Sequence, residues 1–86
     1  MELEFANKLG LKVEDIDGET WAPHLTIERF LYWWTLRYKK DMTAKEIRRH
    51  TGRSYSYIMK GIKYIDDAIE MDDAEVLRLM DKLAVV

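Results

Sequence analysis

The sequence predicts an all-α domain, a compact bundle of about five helices, and three observations carry that reading. Apolar residues recur at spacings of three and four almost throughout, and the alternation of a half-buried strand is missing. Glycine numbers four and proline one among 86 residues, so the chain has few places to break. Where it does break, helix-capping residues stand beside the break. A chain of this length supports one domain that buries roughly 60–65% of the surface its unfolded form exposes.

Leu3, Phe5, Ala6 and Leu9 outline a first short helix, with Gly10 placed to cap its C-terminus. Leu11, Val13 and Ile16 then fall in a turn-rich segment ending at Asp17-Gly18. The second helix begins near Pro23 or Thr26 and runs to about Lys40, since proline suits a first turn whose N–H lacks a partner anyway. Ile27, Phe30, Leu31, Trp34 and Tyr38 trace one face of it, while Tyr32, Trp33 and Leu36 lie elsewhere on the wheel. Such a helix is either the central core helix or half of an interface, and the central position is the expectation. Thr43 and Glu46 form a capping box that opens a helix through about Thr51, with Ala44, Ile47 and His50 turned inward. Gly52 ends it by permitting a left-handed turn. Ser54 caps a fourth helix whose buried face is Ile58, Ile62, Ile65 and Ile69. Asp72 or Asp73 caps the last, with Ala74, Leu77, Met80 and Leu83 on its apolar side. The five methionines and three tryptophans read as core filling.

The net charge of −2 conceals a strong segregation. Residues 1–36 carry three bases against seven acids, residues 37–64 nine against two, and residues 65–86 two against seven. The successive charges are therefore −4, +7 and −5. A basic centre between acidic flanks is the footprint of a polyanion-binding patch, or else of a solvated face with neutralising flanks. Cysteine is absent, which removes disulfides, thiolate zinc sites and cysteine nucleophiles. No apolar run approaches the ~18 residues of a membrane span, and the acidic start Met1-Glu2-Leu3-Glu4 does not resemble a signal peptide. A cytoplasmic protein is expected.

A short helix, a glycine at the break and a longer helix make the helix-turn-helix arrangement. Ile47 and Ile58 are spaced to pack across the angle between the two helices. The second helix presents Tyr55, Ser56, Tyr57, Lys60, Lys63 and Tyr64 outward, opposite the isoleucines. Tyrosine, serine and lysine there suit phosphates and base edges. Double-stranded DNA is the expected partner.

At these residues the chain resembles the C-terminal duplex-DNA-binding domain (domain IV) of the bacterial replication initiator DnaA, a Trp-repressor-like helix-turn-helix. Gly52-Arg53-Ser54-Tyr55-Ser56-Tyr57-Ile58 resembles that family's Gly-Arg-Asp-His-Thr-Thr-Val signature, and Thr43-Ala44-Lys45-Glu46-Ile47 the opening of its first motif helix. Val13-Glu14-Asp15-Ile16 is similar to the family's Val-x-Asp-Leu turn, and Arg29 falls where its long helix carries an arginine. The resemblance implies base or phosphate contacts by Arg53, Tyr55, Ser56 and Tyr57 and phosphate contacts by Lys60 and Lys63, and Ser54, Thr43 and Lys45 complete the expected DNA-binding set. The family's basic loop before the long helix is matched by Glu19-Thr20-Trp21-Ala22-Pro23, which has neither Lys nor Arg. Its ATPase is not expected here, because no Gly-rich phosphate loop is present.

An enzyme is not expected. His24 and His50 lie far apart, and Asp66-Asp67 and Asp72-Asp73 are sequence neighbours whose side chains diverge by ~100° on a helix. Capping and solvation account for them, and no cofactor or metal is implied. The competing reading is a protein-interaction module or homodimer that keeps the fold without DNA binding, using exposed aromatics such as Trp21 and Trp33. For the fold, thermal unfolding followed by circular dichroism should show a helical spectrum lost in one cooperative step. Strand content or two transitions would contradict an all-α domain with one core.

Overall fold

The computed structural model, described for residues 2–17 and 23–84, contains six α-helices and, among those residues, no strand. They are α1 (Glu2–Leu9), α2 (Val13–Asp17), α3 (Thr26–Lys39), α4 (Ala44–Thr51), α5 (Tyr55–Glu70) and α6 (Ala74–Ala84). A single 3₁₀ turn, Pro23–Leu25, leads into α3. The sixth helix is α2, which occupies the segment expected to be turns. The Asp15 carboxylate accepts from the Lys12 N–H at 3.0 Å and caps this single turn, and Arg29 Nε donates to Asp15 O at 2.9 Å from α3. Residues 18–22, including Trp21 and all but Pro23 of the loop matched to the basic loop of the DnaA domain, lie outside the described residues.

Left-handed residues end four of the helices: Gly10 (φ 70°), Asp41 (55°), Gly52 (73°) and Asp72 (54°). Two are aspartates, among the few side chains that tolerate this region. After α5, Asp72 N–H reaches Ile69 O at 3.1 Å and Asp73 N–H reaches Ala68 O at 2.8 Å. Asp73 then caps α6 by accepting from Val76 N–H at 3.1 Å. One short link thus closes one helix and opens the next.

α3 is the central helix, contacting every other one. Its buried side chains are Phe30, Leu31, Tyr32, Trp33 and Leu36. Trp33 is 2% exposed, so it cannot serve the exposed aromatic patch expected of it. Trp34 is only half-buried, and Tyr38 is exposed at 49%. The periodicity of α3 fits either stripe, and the neighbours on several sides decide which is covered. α6 is rotated likewise: Val76 and Leu79 are buried, Leu77, Met80 and Leu83 half-buried, and Ala74 exposed. Leu3, Met59 and Met71 also face solvent, so neither the first helix's apolar set nor the methionines are uniformly core. The expected isoleucine face of α5 is present, with Ile58, Ile62 and Ile65 buried and Ile69 partly so.

α3 and α5 cross where α5 has no side chain. A Cβ on Gly61 would lie 2.6 Å from Phe30 Cδ1 and 2.8 Å from Trp33 Cε3. Tyr57 and Tyr64 stand on the same row of α5, on either side of this gap. Their ring centroids lie 5.8 and 5.7 Å from Phe30, and Tyr57 is also 5.3 Å from Trp33. The Phe30 ring therefore fills the notch between two tyrosines. Both had been placed opposite the isoleucines, but they stand at the margin of the buried face. Elsewhere, His50 Nε2 lies 2.9 Å from Tyr32 Oη and 3.0 Å from Glu2 Oε1, joining α4 to α3 and α1. No helix among the described residues is long and apolar enough to cross a membrane.

Two predictions follow from this packing. Gly61→Ala gains about 1 kcal/mol of helix propensity but drives a methyl group into two buried rings. The net effect expected in urea unfolding is a loss of about 1–2 kcal/mol. Glu28 supplies the second. One of its carboxylate oxygens is buried without a hydrogen-bond partner. Burial first, and Glu75 as a lesser cause, raise its pKa above 4.5 against its own backbone N–H, His24 and Arg78. The native state therefore holds the proton more tightly than the unfolded chain, and stability falls as pH rises from 4.5 through the raised value. Glu28→Gln removes the charge that burial disfavours and should stabilise the fold at pH 7, read as a higher urea midpoint than the parent's. Below pH 4.5 the variant and the parent should converge in urea titrations.

Candidate nucleic-acid interface

The corner between α4 and α5 is specified by three local devices. The Thr43 hydroxyl accepts from Glu46 N–H at 3.2 Å while Glu46 Oε1 accepts from Thr43 N–H at 3.2 Å, completing the expected capping box. Gly52 leaves α4 in the left-handed conformation and its N–H reaches Arg48 O at 2.9 Å. Ser54 Oγ accepts from Tyr57 N–H at 3.3 Å and starts α5. Ile47 and Ile58, both fully buried in one core cluster, anchor the two helices from beneath. Arg48 is exposed and does not obstruct the corner.

The expected contact residues are all at the surface of this corner. Thr43, Lys45, Ser54, Tyr55, Ser56, Tyr57, Lys60 and Lys63 are exposed, and Arg53 is half-buried. The oxygens of Thr43 and Ser54 are occupied as caps, but each hydroxyl retains its proton for an outside acceptor. Tyr55 is free of ring contacts and 54% exposed. Tyr57 is 39% exposed, with its ring held edge-on by Phe30 and Trp33. Arg53 N–H donates to Thr51 Oγ1 at 3.3 Å, holding the link close to the end of α4.

Burial adds two residues that the motif did not single out. Ile47 faces the core, so Lys45 and Arg49 occupy the opposite crest of α4, with Arg48 beside them. On α5 the crest opposite Ile58 and Ile65 holds Ser56, Lys60 and Lys63. Among the described residues, none of Lys45, Arg48, Arg49, Lys60 and Lys63 is in an ion pair. The first turn of α5 contains no acid, so its N–H groups and dipole add to this positive field. Further along, Asp66, Asp67 and Glu70 reverse the sign. The positive surface thus ends midway along α5.

Asp66 also has a structural use that its place in a carboxylate pair concealed. Its two oxygens accept from Trp34 Nε1 at 2.9 Å and Tyr38 Oη at 3.1 Å. The hydrogen bond to this carboxylate is the main cause raising the Tyr38 phenol above 10.0. No group of three or more His, Asp or Glu side chains among the described residues is arranged to hold a metal ion. Comparison with family models, with curated proteins and with solved structures finds no match.

Proposed function

We propose that this chain binds double-stranded DNA, with α4 and α5 acting as a helix-turn-helix and the N-terminal half of α5 lying in the major groove. The observation that carries the reading is the set of five exposed, unpaired cations on the outer crests of two helices joined by a three-residue corner. Lys60 and Lys63 from α5, and Lys45, Arg48 and Arg49 from α4, neutralise phosphates. Thr43 and Ser54 present hydroxyl protons at the two helix N-termini. Arg53, Tyr55 and Ser56 approach base edges, and Tyr57 packs on sugar or thymine methyl groups from its fixed position. The likeness of residues 52–58 to the DnaA signature supports a replication-initiator-like or transcription-regulator module that works at the nucleoid. The alternative of a protein-interaction module loses one support, since Trp33 is buried.

Fluorescence anisotropy with duplex DNA over a series of salt concentrations tests the reading. Log affinity should fall linearly with log salt, and Lys60→Ala or Lys63→Ala should each lower the slope by about one on every duplex. Arg53→Ala should act differently, flattening the sequences enriched from a randomised duplex pool, because a bidentate guanine contact discriminates by about 1–3 kcal/mol. Absence of binding at low salt would leave the protein-partner reading in its place. Identical enrichment by the parent and Arg53→Ala would remove Arg53 as a reader of bases.

A further inference from the structure

On another part of the molecule, α1, α3 and α6 enclose a groove of about 520 Å³. Met80, Leu83 and the half-buried Trp34 supply its accessible apolar surface, over a floor of buried Phe5, Leu31 and Leu36. None of the cations assigned to DNA lines it. The volume falls within the range of small-ligand sites, roughly 300–1,000 Å³. A stable protein partner needs roughly 800 Å² on each side, a surface extending well past this rim.

The polar atoms of the wall are already committed. Trp34 Nε1 donates to Asp66, Thr35 Oγ1 donates to Leu31 O at 2.8 Å, and Tyr32 Oη is held at His50. Lys8 Nζ donates to Leu83 O at 3.1 Å and pairs with Glu4 at 3.5 Å, fastening α1 to α6. An occupant therefore finds no open donor along the body of the groove, and its body must be apolar. At the C-terminal end of α3 the situation differs. Lys39 and Lys40 stand on the rim without an ion pair among the described residues, and Lys39 Nζ sits 5.9 Å over the Trp34 ring. Two open ammonium groups at one end of an apolar groove suit a single anionic head.

We propose that this groove binds a single-chain aliphatic carboxylate, its tail along Trp34, Met80 and Leu83 and its head at Lys39 and Lys40. The test is a titration of the ¹⁵N-labelled full chain with dodecanoate, kept below its micelle concentration and followed by NMR. Saturable shifts should centre on residues of α1, α3 and α6. The exposed double variant Lys39→Glu/Lys40→Glu should keep a dispersed spectrum and bind about tenfold more weakly, as expected for two rim charges reversed. Dodecyltrimethylammonium, with the same tail and the opposite head, should bind more weakly than dodecanoate, and acetate should shift none of these residues. Failure to saturate, equal affinity for the two amphiphiles, an unchanged affinity in the double variant, or shifts centred on α4 and α5 would each overturn the proposal. None of these outcomes bears on duplex binding, which uses a separate set of side chains.

Discussion

The fold is organised by the seating of the Phe30 ring in the notch that Gly61 leaves between Tyr57 and Tyr64. Glycine within a helix costs about 1 kcal/mol relative to alanine, and here that cost is offset by close approach of two long helices. Without a side chain at residue 61, α5 presses directly on the Phe30 and Trp33 rings of α3. The two tyrosines then close over the Phe30 ring from either side, in tilted and edge-on geometries that favour aromatic contact. Their position sets both how far α5 stands from the centre and how it is rotated about its own axis. That rotation buries Ile58, Ile62 and Ile65 and leaves Ser56, Lys60 and Lys63 on the outer crest.

The proposed DNA-binding face thus inherits its geometry from the core. α4 adds its own basic crest because Ile47 fixes its rotation and the capping box and Gly52 fix its ends. The acidic residues are not evenly dispersed around these crests. Asp66 is drawn aside by Trp34 and Tyr38, and Asp67 and Glu70 lie further along α5. A whole-chain charge of −2 is therefore compatible with a strongly positive corner.

Local chemistry was the legible part of the sequence. The capping box at Thr43, the Ser54 cap, the left-handed Gly10 and Gly52 and the isoleucine ladder all depend on residues within a turn or two of one another, and the structure contains each of them. Rotation of the apolar helices was less legible. α3 carries large apolar side chains around most of its circumference, so the choice between Trp33 and Trp34 as the buried indole rests on α5 and on the gap at Gly61. α6 has the same ambiguity, with Val76 and Leu79 selected over Ala74 and Leu77 by their neighbours. The chain exits at Asp41 and Asp72 were hidden because aspartate more often signals a helix start than a left-handed stop. At the candidate site, the exposed series Ser56, Lys60 and Lys63 on α5 was legible from pattern and charge. The crest of α4 at Arg48 and Arg49 was also implied by the inward turn expected of Ile47, but the motif drew attention to α5 instead.

The bond from Lys8 to Leu83 spans 75 positions of an 86-residue chain, whereas the α4–α5 corner is built from partners a few residues apart. These two kinds of closure differ in the loop entropy they must overcome. The corner can organise while most of the chain is still searching, because its loops are short and its helix ends carry their own caps. Docking of α1 against α6 has to await the many residues that lie between them. Closing α1 onto α6 therefore carries the larger loop-entropy cost of the two, so shortening or stiffening the chain between them acts on that contact and leaves the corner as it is.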